Sequence, residues 1–290
     1  MLAIHRQPFA WDIQIECDRT SVANNGEFQR MGIWNSQFSL NYQPLVNAKS
    51  GLILSMEALC RCNHPELGMV PPATFIPLAE ETGLILTLGN WVLKQACMQI
   101  GEWLAQGLVV GRISINVSAF QFNQTDFVST LRQILAETEI DASHIELELT
   151  ESIIMRDVEE NILKLNELKS LGVTFAVDDF GTGYSSLSYL KKLPIDTLKI
   201  DRSFIANITS NSADMAIVEA ILALAEKLHL SVVAEGIEEQ GQLEFLLERQ
   251  CQLLQGYLFS PAKPASEIAK LFGTYEQHVV GVVKQLSVVK

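Results

Sequence analysis

Basic residues are scarce in this chain. Its 290 residues hold 21 Lys and Arg against 34 Asp and Glu, a formal net charge of −13. Non-specific attachment to DNA or RNA polymers needs Lys and Arg to displace counterions from phosphates, so this balance opposes it. Long apolar runs are also missing. No uninterrupted stretch is long enough to span a bilayer. The start, Met1-Leu2-Ala3-Ile4-His5-Arg6, lacks the apolar core of a secretory leader. The cysteines, Cys17, Cys60, Cys62, Cys97 and Cys251, are odd in number and scattered, which excludes a disulfide framework. Cys60 and Cys62 form a C-x-C, but no second pair at zinc spacing accompanies it. His5, His64, His144, His229 and His278 show no metal-binding spacing such as H-x-x-x-H. Neither a G-x-S-x-G elbow nor a Walker A loop is present. A cytosolic chain in a reducing compartment is expected.

What the chain does have is a regular alternation of short apolar runs and helical patterns. Apolar residues make up 48% of it, enough for a substantial core. Residues 1–32 are mixed in character, with a loop-like Ser21–Gly26, and read as an extension or linker. Strands are expected at Phe38–Leu45, Leu52–Cys60, Ile113–Val117, Ile145–Leu149, Val173–Val177, Thr197–Ile200, Ser231–Ala234 and Leu254–Leu258. Helical spacing covers Pro72–Glu80, Trp91–Gln106, Asp126–Thr138, Glu159–Ser170, Ser212–Leu228, Gln240–Glu248 and Ala265–Phe272. Strands that alternate with helices imply crossover units and a largely parallel sheet. About eight strands over roughly 235 residues suit a closed (β/α)8 barrel better than a small doubly wound sheet. The division expected is 1–32 extension, 33–273 barrel and 274–290 tail. The tail is rich in valine and pads the barrel or a partner.

In such a barrel, functional side chains gather where the strands end and the βα loops begin. Most of these strand ends carry a ligand-type residue. The second strand has Glu57, with Arg61 on the same period-two face. There a carboxylate suits a cation, and the guanidinium suits a phosphate. The third ends at Asn116. The fourth, Ile145-Glu146-Leu147-Glu148-Leu149-Thr150-Glu151, puts Glu146 and Glu148 together, with Glu148 nearer the end. The fifth ends in the paired carboxylates Asp178 and Asp179, followed by Gly181-Thr182-Gly183. The sixth carries Lys199 and Asp201, the seventh Glu235, and the last Gln255.

Taken singly, each has a plainer reading. Glu57 then faces solvent, Asn116 caps a helix, and Glu151 is a first-turn acid that complements a helix dipole. Lys199 then pairs internally with Asp201. Taken together, Glu57, Asn116, Glu148, Asp178, Asp179 and Glu235 ring one barrel mouth. Such an oxygen-rich set suits Mg²⁺ or Mn²⁺. Six ligands with one bridging Asp are enough for two cations about 3.5–4 Å apart, the arrangement that serves phosphodiester hydrolysis.

The same motifs, in order, resemble the EAL-domain cyclic di-GMP phosphodiesterases. They are Tyr42-Gln43-Pro44, Glu57-Ala58-Leu59 within Met56–Arg61, Asn63-His64-Pro65 and Phe75–Glu80, followed by Asn116-Val117-Ser118 and Glu148-Leu149-Thr150-Glu151. Asp178–Tyr184, Lys199-Ile200-Asp201, Ala234-Glu235-Gly236 and Gln255-Gly256-Tyr257 complete them. The resemblance implies a modified barrel whose first strand runs antiparallel to the rest. It implies Mg²⁺- or Mn²⁺-dependent opening of cyclic di-GMP to linear pGpG, inhibited by Ca²⁺. By resemblance, Glu57, Asn116, Glu148 and Asp178 hold one metal, and Asp178, Asp179 and Glu235 serve the second. Lys199 positions the attacking water, while Gln43, Arg61 and Gln255 contact substrate or the water network. Glu151 steadies the Asp178–Tyr184 loop, which in the family lies near a dimer interface, so a homodimer is expected. Cys62, Gln252 and Glu239 depart from common family residues, none at a metal position. No sensor or GGDEF domain is visible, so a catalytic fragment or a short stand-alone protein is expected. The competing expectation is a catalytically idle cyclic di-GMP receptor that acts through protein contacts.

Overall fold

The computed structural model describes residues 37–65, 67–182 and 187–274. The expected extension, the Val-rich tail, and Gly183 and Tyr184 of the fifth-strand loop lie outside the described residues. The described residues divide into two compact units, one of residues 40–60, 72–182 and 187–274 and one of residues 37–39, 61–65 and 67–71.

The larger unit holds the barrel. Strand β1 (Phe38–Asn47) is joined by a tight turn to β2 (Ile53–His64) and pairs with it. The order then runs β2, β4 (Ile113–Asn116), β5 (Ile145–Thr150), β6 (Thr174–Phe180), β7 (Thr197–Ile200), β8 (Ser231–Ala234) and β9 (Leu253–Leu254), all parallel. Strand β1 closes the ring and runs antiparallel to β9, with Val46 opposite Leu254. A short β10 (Lys263–Pro264) also pairs antiparallel with β1, at Asn41 and Tyr42. In the smaller unit, the outer part of β2 pairs antiparallel with β3 (Gly68–Val70), with Cys62 opposite Val70.

Parallel strands covered by helices on the outside need apolar residues there, and period two leaves the alternate positions to the barrel interior. Strand β5 shows the result. Ile145, Leu147 and Leu149 are buried, and so are Glu146 and Glu148. The outer layer is α1 (Pro72–Glu81), α2 (Ile85–Ala105), α3 (Ala119–Phe122), α4 (Phe127–Thr138), α5 (Glu151–Ile154), α6 (Val158–Ser170), α7 (Leu187–Leu190), α8 (Arg202–Ala206), α9 (Ser212–Leu228), α10 (Gln240–Glu248) and α11 (Ala265–Ile268). Trp103 of α2 packs edge-on to Tyr42 at 4.8 Å and Phe272 at 5.0 Å, joining the first and last parts of the barrel. Cys62, Cys97 and Cys251 are buried free thiols. Among the described residues, no helix is long and apolar enough to cross a membrane.

Among the elements that differ from the sequence expectation, three have a cause visible in the packing. Helix α2 begins at Ile85 rather than Trp91, running through Gly89. The glycine makes room for the Gln121 amide, which a Cβ would meet at 2.3 Å and which donates to Asn90 Oδ1 at 3.1 Å. Strand β6 runs on through both aspartates to Phe180, with a register shift against β7 between Val177 and Phe180. Asp179 takes positive φ (54°) at that bulge. Strand β9 stops at Leu254 rather than reaching Leu258. Gly256 lies so tightly on the 237 backbone that a Cβ would meet Ile237 O at 2.0 Å, and Ile237 N donates to Gln255 O at 3.1 Å. The chain turns across the end of β8 instead of extending.

Candidate active site

Lys199, on β7, points into the barrel and is 1% exposed. A buried ammonium must be surrounded by acceptors. Four strands supply them. Nζ lies 2.6 Å from Glu148 of β5, 2.6 Å from Glu235 after β8, 3.4 Å from Asp178 of β6 and 3.6 Å from Glu57 of β2. The Lys199–Asp201 pair weighed from the sequence is not made. Asp201 instead caps α8, accepting from the Ser203 amide at 3.0 Å and from its hydroxyl. Strand and helix meet at that residue, and period two gives way to a turn.

Amides fix the carboxylates from the sides. Asn116 Nδ2 donates to Glu57 Oε1 at 2.8 Å, and Gln255 Nε2 donates to Glu57 Oε2 at 2.6 Å. Gln255 also donates to Gln43 Oε1 at 3.2 Å, and Gln43 donates to the Ser260 carbonyl at 3.2 Å. The helix-capping role considered for Asn116 belongs to Ser118, which accepts from Gln121 N. Glu151 sits in the first turn of α5, and its Oε2 also accepts from Gly181 N at 3.2 Å. Asp178 accepts the Asp179 amide at 3.0 Å, while Asp179 itself is exposed. Glu57, Asn116, Glu148, Asp178, Glu235, Lys199, Gln255 and Gln43 are thus brought together. Arg61 is half-buried, on the part of β2 that belongs to the smaller unit.

The electrostatics follow from four acids and one cation. Burial alone would lower the Lys199 pKa, but Glu148, Glu57, Glu235 and Asp178 together hold it well above its usual value. Burial would raise Glu57; Lys199 and the bonds from Gln255 and Asn116 outweigh it and keep Glu57 low. Glu148 is pushed well up by burial and by Glu57, against the pull of Lys199. Glu235 rises to about 7, driven by burial and resisted by Lys199. Partial desolvation, then Asp178 and Asp201, raise Asp179. One ammonium does not balance these acids, so without further cations the cluster retains protons.

Among the described residues, no three His, Cys, Asp or Glu side chains stand as a ready-made metal-ligand group. The centre on which the carboxylates converge is taken by Nζ. The donor set nevertheless fits hard divalent cations. All its atoms are carboxylate or amide oxygens, its charge is in excess of one ammonium, and Glu148 Oε1 and Gln255 Oε1 are buried acceptors without a donor.

The family model described as EAL domain matches residues 27–262. The chain belongs to the EAL domain family. It is 45% identical over 239 residues to the bifunctional diguanylate cyclase/cyclic di-GMP phosphodiesterase MucR of Pseudomonas aeruginosa, covering 82% of this chain and 35% of that protein. It is 42% identical over 246 residues to the cyclic di-GMP phosphodiesterase NbdA of the same organism, covering 85% of this chain and 31% of the relative. The chain therefore spans about a third of the length of these relatives. Among solved structures, it superposes on the PaMucR phosphodiesterase in complex with c-di-GMP. The TM-score is 0.79 at 45% identity, covering 83% of this chain and 97% of that one. The EAL domain of Mycobacterium smegmatis DcpA gives 0.70 at 37% identity, covering 83% and 99%.

One layer of the EAL site escaped the sequence reading. Glu146 shares the inward face with Glu148 and lies one step deeper, as its place in the strand implies; its partners were not foreseen, and it accepts from Ser114 Oγ at 2.9 Å and Thr197 Oγ1 at 3.1 Å. Both hydroxyl residues fall at inward positions of their strands, and period two would have found them. Asn161 of α6 is a second omission. It is buried and donates to the carbonyls of Ile153 and Arg156, holding the turn that follows Glu151. No local pattern marks it.

Proposed function

We propose that this chain hydrolyses cyclic di-GMP, opening one phosphodiester bond to give linear pGpG in a reaction that needs Mg²⁺ or Mn²⁺ and is inhibited by Ca²⁺. The observation that carries this is the convergence of acids from four strands on one buried lysine, in a family whose similar members are named for that activity. Cyclic di-GMP is a dianion, and this pocket by itself repels it. Glu57, Asn116, Glu148 and Asp178 would hold one divalent cation, and Asp178, Asp179 and Glu235 a second, whose charge would reverse that sign. Two such ions would supply an activated water and charge stabilisation at the attacking and leaving oxygens.

The chain's own residues do the rest. Asn116 and Gln255 keep Glu57 ionised and aimed. Lys199 holds the incoming water and stays protonated throughout. Gln43 and Gln255 contact the nucleotide or its water, and Arg61 clamps a phosphate bidentately. Glu151 steadies Gly181 beside the two aspartates. The catalytic unit is taken as residues 33–273, acting as a homodimer in the cytoplasm.

Incubation of the protein with cyclic di-GMP and Mn²⁺, followed by chromatography, tests the reading. The expected result is conversion to pGpG that stops on chelation. Tight nucleotide binding with no product in either Mg²⁺ or Mn²⁺ would replace the enzyme with a receptor.

A further inference from the structure

Beneath the acidic ring lies a second polar layer with a different composition. Ser114, Glu146 and Thr197 are 1%, 5% and 2% exposed. Each sits two residues before a member of the ring on the same strand. Ser114 precedes Asn116, Glu146 precedes Glu148, and Thr197 precedes Lys199. Period two therefore puts them on the same inward face, one step deeper.

The carboxylate of Glu146 spends one oxygen on each hydroxyl, 2.9 Å to Ser114 Oγ and 3.1 Å to Thr197 Oγ1. Ser114 is its direct neighbour in register. Thr197 is not, because β6 lies between. Ala176, the register partner of Thr197, presents only a methyl there and leaves the crossing open. Among the described residues, Glu146 forms no ion pair with a Lys, Arg or His, so its bonds are purely to strands.

We infer that Glu146 and Thr197 are positioning residues for the hydrolysis: the Glu146 carboxylate ties β7 to β5 and β4, and so sets Lys199 Nζ among the four acids. The inference rests on the hydrolytic reading of the site. Without the tie, this end of β7 keeps its backbone bonds and the bond from Phe175 N to the Asp196 carboxylate at 3.0 Å, but loses its link across the barrel beneath Lys199, and a displacement well under the length of a hydrogen bond misplaces Nζ. Outer-layer partners of this kind typically carry about 10–100-fold in activity.

The test is Thr197→Val, which keeps shape and removes the donor, alongside Glu146→Gln and Glu146→Leu. Two readouts are taken: steady-state kinetics on cyclic di-GMP with Mn²⁺, and the Nζ resonance of Lys199 in metal-free protein labelled with ¹⁵N-lysine. Thr197→Val is expected to lower kcat by about tenfold with KM within about twofold, and to shift the Lys199 resonance. Glu146→Gln, whose amide still bridges two hydroxyls, is expected to stay near wild type, while Glu146→Leu falls with Thr197→Val. A purely structural layer would lower the melting temperature and leave kcat per folded molecule unchanged. An unshifted Lys199 resonance in Thr197→Val, or Glu146→Gln as impaired as Glu146→Leu, overturns the inference. If the wild type itself gives no product, the hydrolytic reading has failed, and the Lys199 resonance still decides the tie.

Discussion

The two polar layers of this barrel are built from the same strands and differ in almost every other respect. The lower layer is satisfied: one carboxylate and two hydroxyl donors, with no charge partner and no oxygen without a bond among the described residues. The upper layer, two residues further along β4, β5 and β7, is left incomplete. It has four acids around one ammonium, with Glu148 Oε1 and Gln255 Oε1 lacking any donor. A barrel that satisfies its buried polar groups at one depth can do so at the next. The unsatisfied upper layer is therefore best explained by something it binds.

The largest effect expected from breaking this contrast is on turnover. Asp178→Ala removes the acid assigned to both cations, and Glu57→Ala removes the one best fixed by amides. Each is expected to cut cyclic di-GMP turnover about a thousandfold or more, with circular dichroism unchanged, since loss of a single preorganised charge-stabilising group alone costs about 10²–10³.

Next comes the upper layer's own cation. Lys199→Met leaves buried acids uncompensated, and breaking such a pair typically costs about 3–5 kcal/mol. Urea unfolding of the metal-free variant is expected to show that loss, and Mn²⁺ to restore part of it. The lower layer offers no equivalent, because it contains no cation to remove.

A smaller effect concerns pH. The Glu235 carboxyl sits at about 7 in the folded chain, above the usual Glu range. Between those values the folded state binds the extra proton, so ionisation opposes folding and metal-free stability falls as pH rises from about 5 to 7. Wild type is expected to lose stability over that window relative to Glu235→Gln, and a constant difference between them would remove this acid from the strained set.

Much of this arrangement is readable from residue order alone. An apolar run that ends in Glu, Asn, Lys or Asp–Asp announces a strand and where it stops, which is why β2, β4, β5, β6, β7 and β8 were found where they lie. What was misread had non-local causes. Gly89 looks like a helix break until Gln121 lies across it. Lys199 and Asp201 alternate correctly, yet the strand ends between them and Asp201 turns to cap α8. Glu146 and Glu148 are chemically identical in the sequence; only the hydroxyls that meet one and the ammonium that meets the other separate their work.

Crystals soaked in Mn²⁺ and measured at the manganese absorption edge test the central claim most directly. The account predicts two anomalous peaks at the barrel mouth, one against Glu57, Asn116, Glu148 and Asp178, and one against Asp178, Asp179 and Glu235. A fully soaked crystal with no peak among these residues, and Lys199 still bonded to Glu148 and Glu235, would contradict it.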